Sequence, residues 1–319
     1  MDEAKHQDAT WVAEMFAALR AAIGTVVIGN DEAIRLSFVT LLCSGHSLYE
    51  GVPGLAKTLL VRTLAATLGI RFGRIQCTAD LMPSDIIGTP ILHPEKGDFR
   101  FRPGPLFTDL LLVDEINRAP AKTQAALLEA MQERAATVDG ASYALGEWFT
   151  VMATQNPIEQ EGTYALPEAE LDRFLFKIRV GYPTAEEEVR ILATHHSKAT
   201  SPAIASIVSA EELGHARTIV DATLARDEIL QYSVALVRAT RDHPAIAVGA
   251  SPRAALWIVR AAKAVATLDG RGFVLPEDVQ TVISPALRHR IVLEPGAEVD
   301  GMGPDEAVEE VIRSVAVPH

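Results

Sequence analysis

The 319-residue sequence predicts an α/β fold: a mostly parallel sheet with helices on both faces, followed by a smaller all-helical domain. Three observations predict it. Short apolar runs alternate with helix-patterned stretches from about residue 48 to residue 180. The alternation stops at Gly181-Tyr182-Pro183, after which the strong signals are all helix starts. Hydrophobic residues make up 48% and charged residues 22%, enough for two ordinary cores, which excludes a largely disordered chain.

Each element follows from a local pattern. Trp11, Val12, Met15, Phe16, Leu19 and Ile23 recur at helical spacing and give an amphipathic opening helix. Strands are expected at 47–50, 71–76, 110–113, 149–154 and 174–180, with helices such as 57–68 and 123–134 between them. Two segments interrupt this order. Residues 93–102 read as strand, turn at 95–98 and strand; residues 136–145 read as a hairpin around Asp139-Gly140. Taken alone, both read better as ordinary surface decoration. Further on, Thr184-x-x-Glu187 and Ser209-x-x-Glu212 are capping boxes. Ser251-Pro252 opens a helix that runs to Asp269-Gly270, and Pro276-Glu277-Asp278 opens another. No strand is expected after Val180. The expected domains are 1–181 and 182–319.

Charge and cysteine content narrow the function classes. With 29 Lys+Arg against 42 Asp+Glu the net charge is −13, which speaks against bulk binding to nucleic acid or an anionic membrane. Cys43 and Cys77 are the two cysteines and form no CxxC pair, so reduced, buried thiols are expected rather than a disulfide framework or a zinc site. The first ten residues carry acids and amides where a secretory signal needs an apolar run. No stretch has the roughly 18 uninterrupted apolar residues of a membrane span. The chain reads as soluble and cytoplasmic.

The chemistry concentrates in two motifs. Gly51-Val52-Pro53-Gly54-Leu55-Ala56-Lys57-Thr58 follows a short strand and opens a helix, the context a phosphate-binding P-loop requires. Its glycines let backbone N–H groups turn toward anionic oxygens at a helix N-terminus. Lys57 would reach the β- and γ-phosphates and the Thr58 hydroxyl would ligate Mg²⁺. Ala56 replaces the last glycine of the strict pattern, a departure that alanine accommodates if the backbone there is helical. The second motif is the apolar run 110–113 ending in Asp114-Glu115, at the strand end where ligands of open α/β sheets bind. Asp114 would hold Mg²⁺ and Glu115 would act as general base toward a water. A P-loop and an acidic pair in one domain point to Mg²⁺-dependent nucleotide hydrolysis. Asn156, after the next core strand, can sit beside the acids, although Asn-Pro taken alone is more often just a turn. Arg253 opposes the dipole in the first turn of its helix, which suits an anionic partner; a plain surface arginine reads the same way.

With these pieces placed, the sequence resembles the AAA+ ATPases, and closely their MoxR family, from about Val26 to the last helices. The resemblance rests on residues 50–58, on Phe101-Arg-Pro-Gly-Pro105 and Asp114-Glu-Ile-Asn-Arg-Ala-Pro120, on residues 153–164, on Leu171-Asp-Arg-Phe174 and on Ser251-Pro-Arg253. In that family Gly-Leu-Ala-Lys-Thr is the usual P-loop form. The resemblance implies that Lys57 and Thr58, with Leu59 beside them, belong to Walker A, Asp114 and Glu115 to Walker B, and Asn156 to sensor 1. It implies that Arg173 is an arginine finger reaching the neighbouring subunit's γ-phosphate and that Arg253 is sensor 2. Val27, Ile28 and Gly29 resemble the segment that packs on adenine. Residues 93–102 resemble the insert in helix 2, and 136–145 the hairpin before sensor 1. A homo-oligomeric ring, most simply a hexamer, follows from the same resemblance. So does a chaperone-like role on protein clients, among them proteins with von Willebrand factor A domains. Two other readings share the motifs: the motor subunit of a metal chelatase-like complex, and a low-turnover ATP-dependent switch, against which Glu115 argues.

Overall fold

A computed structural model describes residues 2–93, 98–157, 164–196 and 205–318. The chain opens with α1 (Asp2–Gly24) and α2 (Asp31–Leu42), and β1 (Ser47–Glu50) leads through the glycine-rich turn into α3 (Lys57–Thr67). Next come β2 (Phe72–Gln76), a short α4 (Pro83–Ile87), and the antiparallel pair β3 (Gly88–His93) and β4 (Asp98–Pro103). β5 (Leu110–Asp114) runs through one 3₁₀ turn into α5 (Ala121–Glu133), and a second hairpin, β6 (Ala135–Val138) and β7 (Ala141–Ala144), precedes β8 (Thr150–Gln155). α6 (Glu168–Leu171) and β9 (Phe176–Arg179) end this part. The remainder holds α7 (Ala185–His196), α8 (Ala210–Ala222), α9 (Asp227–Asp242), β10 (Ile246–Val248), α10 (Pro252–Leu268), α11 (Pro276–Leu287), β11 (Val292–Leu293), α12 (Pro295–Val299) and α13 (Pro304–Ser314).

Five strands form a single sheet in the order β2-β5-β8-β1-β9, every neighbouring pair parallel. Strand period two divides the apolar residues between its faces. Tyr49, Leu110, Leu112 and Met152 point to one side, into a core shared with α1, α2, α3 and the C-terminal helices. Leu48, Leu111, Val113, Val151 and Ala153 point to the other, against Leu127, Leu128 and Met131 of α5. Each fully buried Leu, Val or Met among them is worth about 1.5–3 kcal/mol, and a one-residue slip of a central strand would exchange both cores at once. That register brings the C-terminal ends of β1, β5 and β8 to one edge of the sheet. Glu50 stands opposite Gln155 and Gln76 opposite Asp114.

The opening helix forms as its spacing predicts: Val12, Phe16, Leu19 and Ile23 are buried, and α1 packs on α10, α8 and α3. Both capping boxes form. Ser209 Oγ accepts from the Glu212 N–H at 3.2 Å while the Glu212 carboxylate accepts from the Ser209 N–H at 2.8 Å, and Thr184 and Glu187 repeat the arrangement. The second hairpin turns at Asp139 (φ 50°) and Gly140 (φ 81°), the left-handed pair that the Asp-Gly signal anticipates. Phe101 of β4 stacks on Tyr143 of β7 with ring centroids 4.2 Å apart, fastening the two hairpins together.

Two expectations need correction. The C-terminal part is not all helical: β10 and β11 form an antiparallel ribbon, with the Glu294 N–H donating to the Ala245 carbonyl at 2.9 Å. Runs of three and two residues are too short to carry a period, so the sequence holds no pattern for them. The first hairpin starts at Gly88 rather than at residue 93, and Pro90 pairs with Phe101 inside it. A two-stranded ribbon consists of edges, where a proline is tolerated; of its expected turn at 95–98, residues 95–97 lie outside the described residues and Asp98 belongs to β4. Among the described residues no helix is long and apolar enough to cross a membrane.

Candidate functional site

At that sheet edge a cavity of about 370 Å³ opens between the turn after β1 and the ends of β2, β5 and β8. Gly51 is obligatory where β1 ends, since a Cβ there would sit 2.6 Å from the Val180 carbonyl oxygen. Gly54 takes φ +88° with open space around it. Pro53, Gly54, Leu55, Ala56, Lys57, Thr58 and Leu59 line one wall of the cavity; Gly51 and Val52 shape the turn but are not part of the lining. Ala56 is left-handed, φ 56° and ψ 19°, not right-handed helical. This corrects the argument that alanine sits there without strain: a Cβ in that conformation costs about 1–2 kcal/mol. Lys57 starts α3 and donates from Nζ to the Gly51 carbonyl. Partial burial pushes its pKa down, and the carboxylates of Asp114, Glu115 and Glu50 oppose that shift.

The opposite wall is acidic and tightly hydrogen-bonded. Asp114 ends β5 with Oδ2 accepting from Arg74 Nε at 2.7 Å and from Thr58 Oγ1 at 3.3 Å, and Oδ1 accepting from Thr154 Oγ1 at 3.2 Å. Glu115 turns out of the strand in the left-handed conformation, φ 56°, a strained position for a non-glycine residue. Its N–H donates to Thr154 Oγ1 at 2.9 Å and its carboxylate pairs with Arg118 at 3.0 Å. Asn156 is buried in the same wall. The Thr58 hydroxyl and the Asp114 carboxylate offer adjacent oxygen donors beside a helix N-terminus. That set fits Mg²⁺, which takes oxygen ligands and completes its shell with phosphate and water. No cluster of three or more His, Cys, Asp or Glu is placed to hold a metal among the described residues, so such an ion would depend on the phosphates of a bound nucleotide.

Arg173 and Arg253 do not join this wall. Both line a separate cavity of about 360 Å³, together with Arg134, Arg260, His46 and Trp257. No carboxylate lies within ion-pair distance of any of these four arginines among the described residues. Arg134 is held by carbonyls instead, donating to Ser44 at 2.8 Å and Glu147 at 3.3 Å. His46 is fully buried and neutral: Nδ1 accepts from the Val151 N–H at 2.9 Å, and Nε2 faces the Met131 carbonyl at 3.2 Å. Burial first, and the charge of Arg134 second, push its pKa down to about 3. Val27 and Ile28 are buried in the core and Gly29 (φ +76°) abuts the Glu187 carboxylate; none of the three lines either cavity.

Sequence reading missed Arg74, Gln76 and Thr154 in the P-loop cavity. A signal existed for the first two: Arg74 and Gln76 stand two residues apart on either side of Ile75, whereas a strand buried on both faces is apolar throughout, so that face of β2 had to open onto something polar. Thr154 carries no such mark. Its contact with Asp114 depends on β5 and β8 being neighbours in the sheet.

Comparison with known proteins agrees with this arrangement. A model of the ATPase family associated with various cellular activities (AAA) matches residues 46–176, and an AAA lid domain model matches residues 238–311. Chaperone MoxR1 of Mycobacterium tuberculosis is 45% identical over 303 residues, covering 92% of this chain and 80% of the relative. The uncharacterized protein YeaC of Bacillus subtilis is 43% identical over 296 residues, covering 93% and 92%. The solved structure of a Cytophaga hutchinsonii protein assigned as an ATPase superposes with a TM-score of 0.92 at 39% identity, covering 99% of each chain. A P-loop facing an Asp-Glu strand end, a helical lid and relatives of this similarity lead to one conclusion: the chain belongs to the MoxR family of AAA+ ATPases.

Proposed function

We propose that this ATPase hydrolyses ATP with Mg²⁺ at a site completed by a neighbouring subunit, and spends the energy on remodelling protein partners. The observation that carries the reading is the separation of Arg173 and Arg253 from the chain's own P-loop, in a cavity without a carboxylate. Residues 1–181 form the nucleotide-binding unit in this reading and 182–319 the lid. The P-loop N–H groups and Lys57 bind the β- and γ-phosphates, with nucleotide displacing the contact of Lys57 with the Gly51 carbonyl. Bound Mg²⁺, held by Thr58 and Asp114, would neutralise charge on the phosphate oxygens. Glu115 takes the proton of the attacking water and Asn156 orients that water or the γ-phosphate. Arg173 and Arg253 of the next subunit stabilise charge developing on the transferred group, a contribution worth about 10³–10⁵ in rate for an arginine supplied in trans.

A closed ring satisfies every such site at once, and a hexamer is the proposed number. A relative named a chaperone supports a protein client, for which we propose a partner with a von Willebrand factor A domain, and the net charge of −13 supports a protein over a nucleic acid. A cytoplasmic location goes with that role. Specific activity should rise with protein concentration as rings assemble, require Mg²⁺, and vanish in Glu115→Gln while ATP binding persists. Turnover independent of concentration, or Glu115→Gln turnover at the wild-type rate, would contradict the proposal.

A further inference from the structure

Asp172 immediately precedes Arg173, yet its carboxylate does not pair with it. Oδ1 accepts from Arg290 Nε at 2.6 Å and Oδ2 from Ser251 Oγ at 3.4 Å. Arg290 lies just beyond α11, with its side chain 1% exposed, and all five guanidinium N–H groups are spent on this junction. Besides the Asp172 carboxylate they reach the carbonyls of Asp172 at 2.9 Å, Phe174 at 2.6 Å, Leu175 at 3.1 Å and Ala286. Ser251 stands at the N-cap of α10, but its hydroxyl does not cap the helix. It turns to Asp172, two residues before Arg253. The two lid contacts thus come from opposite ends of different helices and converge on one carboxylate, which directly precedes Arg173 and is tied through Ser251 to the first turn that carries Arg253.

A buried ion pair is weak support for stability, because desolvation offsets most of its attraction. A junction that fixes two guanidiniums relative to one another has a better rationale, since a misplacement near 1 Å can cost about 100-fold in rate. We propose that Asp172 is a positioning residue: held by Arg290 and holding Ser251, it sets Arg173 and Arg253 at a fixed separation so that both meet the neighbouring subunit's phosphates as one unit. The inference rests on the shared-site reading above. It deepens that reading by naming what makes the arginine pair rigid.

The test is steady-state ATP turnover of Asp172→Ala and Arg173→Ala, each alone and each mixed with Lys57→Ala. Asp172→Ala should lose about 10- to 100-fold in kcat with KM for ATP unchanged, because its own P-loop is intact. Mixing should restore turnover, since Lys57→Ala subunits offer ordered arginines to the intact P-loops of the variant. A merely structural defect would not be repaired by mixing, so an unrescued loss overturns the proposal, as does wild-type kcat. Should Asp172→Ala not fold, Ser251→Ala removes one contact alone. It should lower kcat at unchanged melting temperature, and wild-type kcat in that variant overturns the proposal. Arg173→Ala separates the two layers of argument. If it turns over at the wild-type rate, the shared-site reading itself fails; if it collapses and is rescued while Asp172→Ala is unaffected, only the positioning role fails.

Discussion

The two cavities of this ATPase are of similar size and opposite electrostatic state. Around the P-loop, cations and anions are interleaved within one subunit: Arg74 on Asp114, Arg118 on Glu115, Lys57 among three carboxylates. In the other cavity four arginines face one another with no carboxylate in ion-pair distance among the described residues. Guanidiniums brought together repel, less so at the exposed Arg253 and Arg260, where water screens them, than at the half-buried Arg134 and Arg173. The difference is the one the proposed shared site requires. The P-loop cavity has its charges balanced within one subunit, whereas in that proposal the arginine cavity takes its anion from the neighbouring subunit.

The largest expected effect breaks the comparison at its acidic end. Lys57→Ala should abolish ATP binding measured by equilibrium titration, while Arg173→Ala and Arg253→Ala leave the affinity of the dispersed subunit almost unchanged. Next in size is a direct probe of the second cavity. Inorganic tripolyphosphate added to Lys57→Ala, whose P-loop is disabled, should raise the melting temperature, by about 2.7 kcal/mol of stability at 100 times its Kd. The shift should disappear in the Lys57→Ala, Arg173→Ala, Arg253→Ala triple variant; its survival there would place the polyanion elsewhere.

How much of this was legible from sequence follows from distance along the chain. The P-loop, Asp114-Glu115 and the Asp139-Gly140 hairpin are contiguous, so their chemistry and backbone needs can be read in place. Arg74 and Thr154 enter the site through the sheet order, which depends on pairings dozens of residues apart. Ser251 reads as a helix cap because local hydrogen bonding favours it, and the tertiary contact with Asp172 overrides that preference. Ala56 shows the opposite limit: the residue type was plain, but its left-handed backbone was not.

Two smaller effects sharpen the account. Because burial and Arg134 hold the His46 pKa near 3 in the folded chain against an ordinary 6.5, the unfolded state binds the extra proton first. Stability is therefore unaffected above about pH 6.5 and falls by up to about 1.4 kcal/mol per pH unit below it. Thermal melts from pH 7.5 to 5 should show the slope, to which His289, whose burial also pushes its pKa down, adds in the same sense; His46→Asn should therefore lessen the slope without abolishing it, and a slope of opposite sign would mean that the cavity welcomes a further cation. Smallest is Ala56→Gly, which relieves the left-handed Cβ and should raise stability by about 1 kcal/mol net of glycine's entropy. An unchanged or lowered melting temperature would show that the loop relaxes without it.

The central claim, that one catalytic site is divided between two copies of the chain, is tested most directly by mixing two dead variants. Lys57→Ala lacks a competent P-loop and Arg173→Ala lacks the arginine offered to a neighbour, so each alone should be inactive. Mixed at equal concentration they should recover a substantial fraction of wild-type ATP turnover, because some neighbouring pairs then combine an intact P-loop with an intact Arg173. Two inactive preparations that stay inactive at every mixing ratio, under conditions where wild-type subunits assemble and turn over, would contradict it.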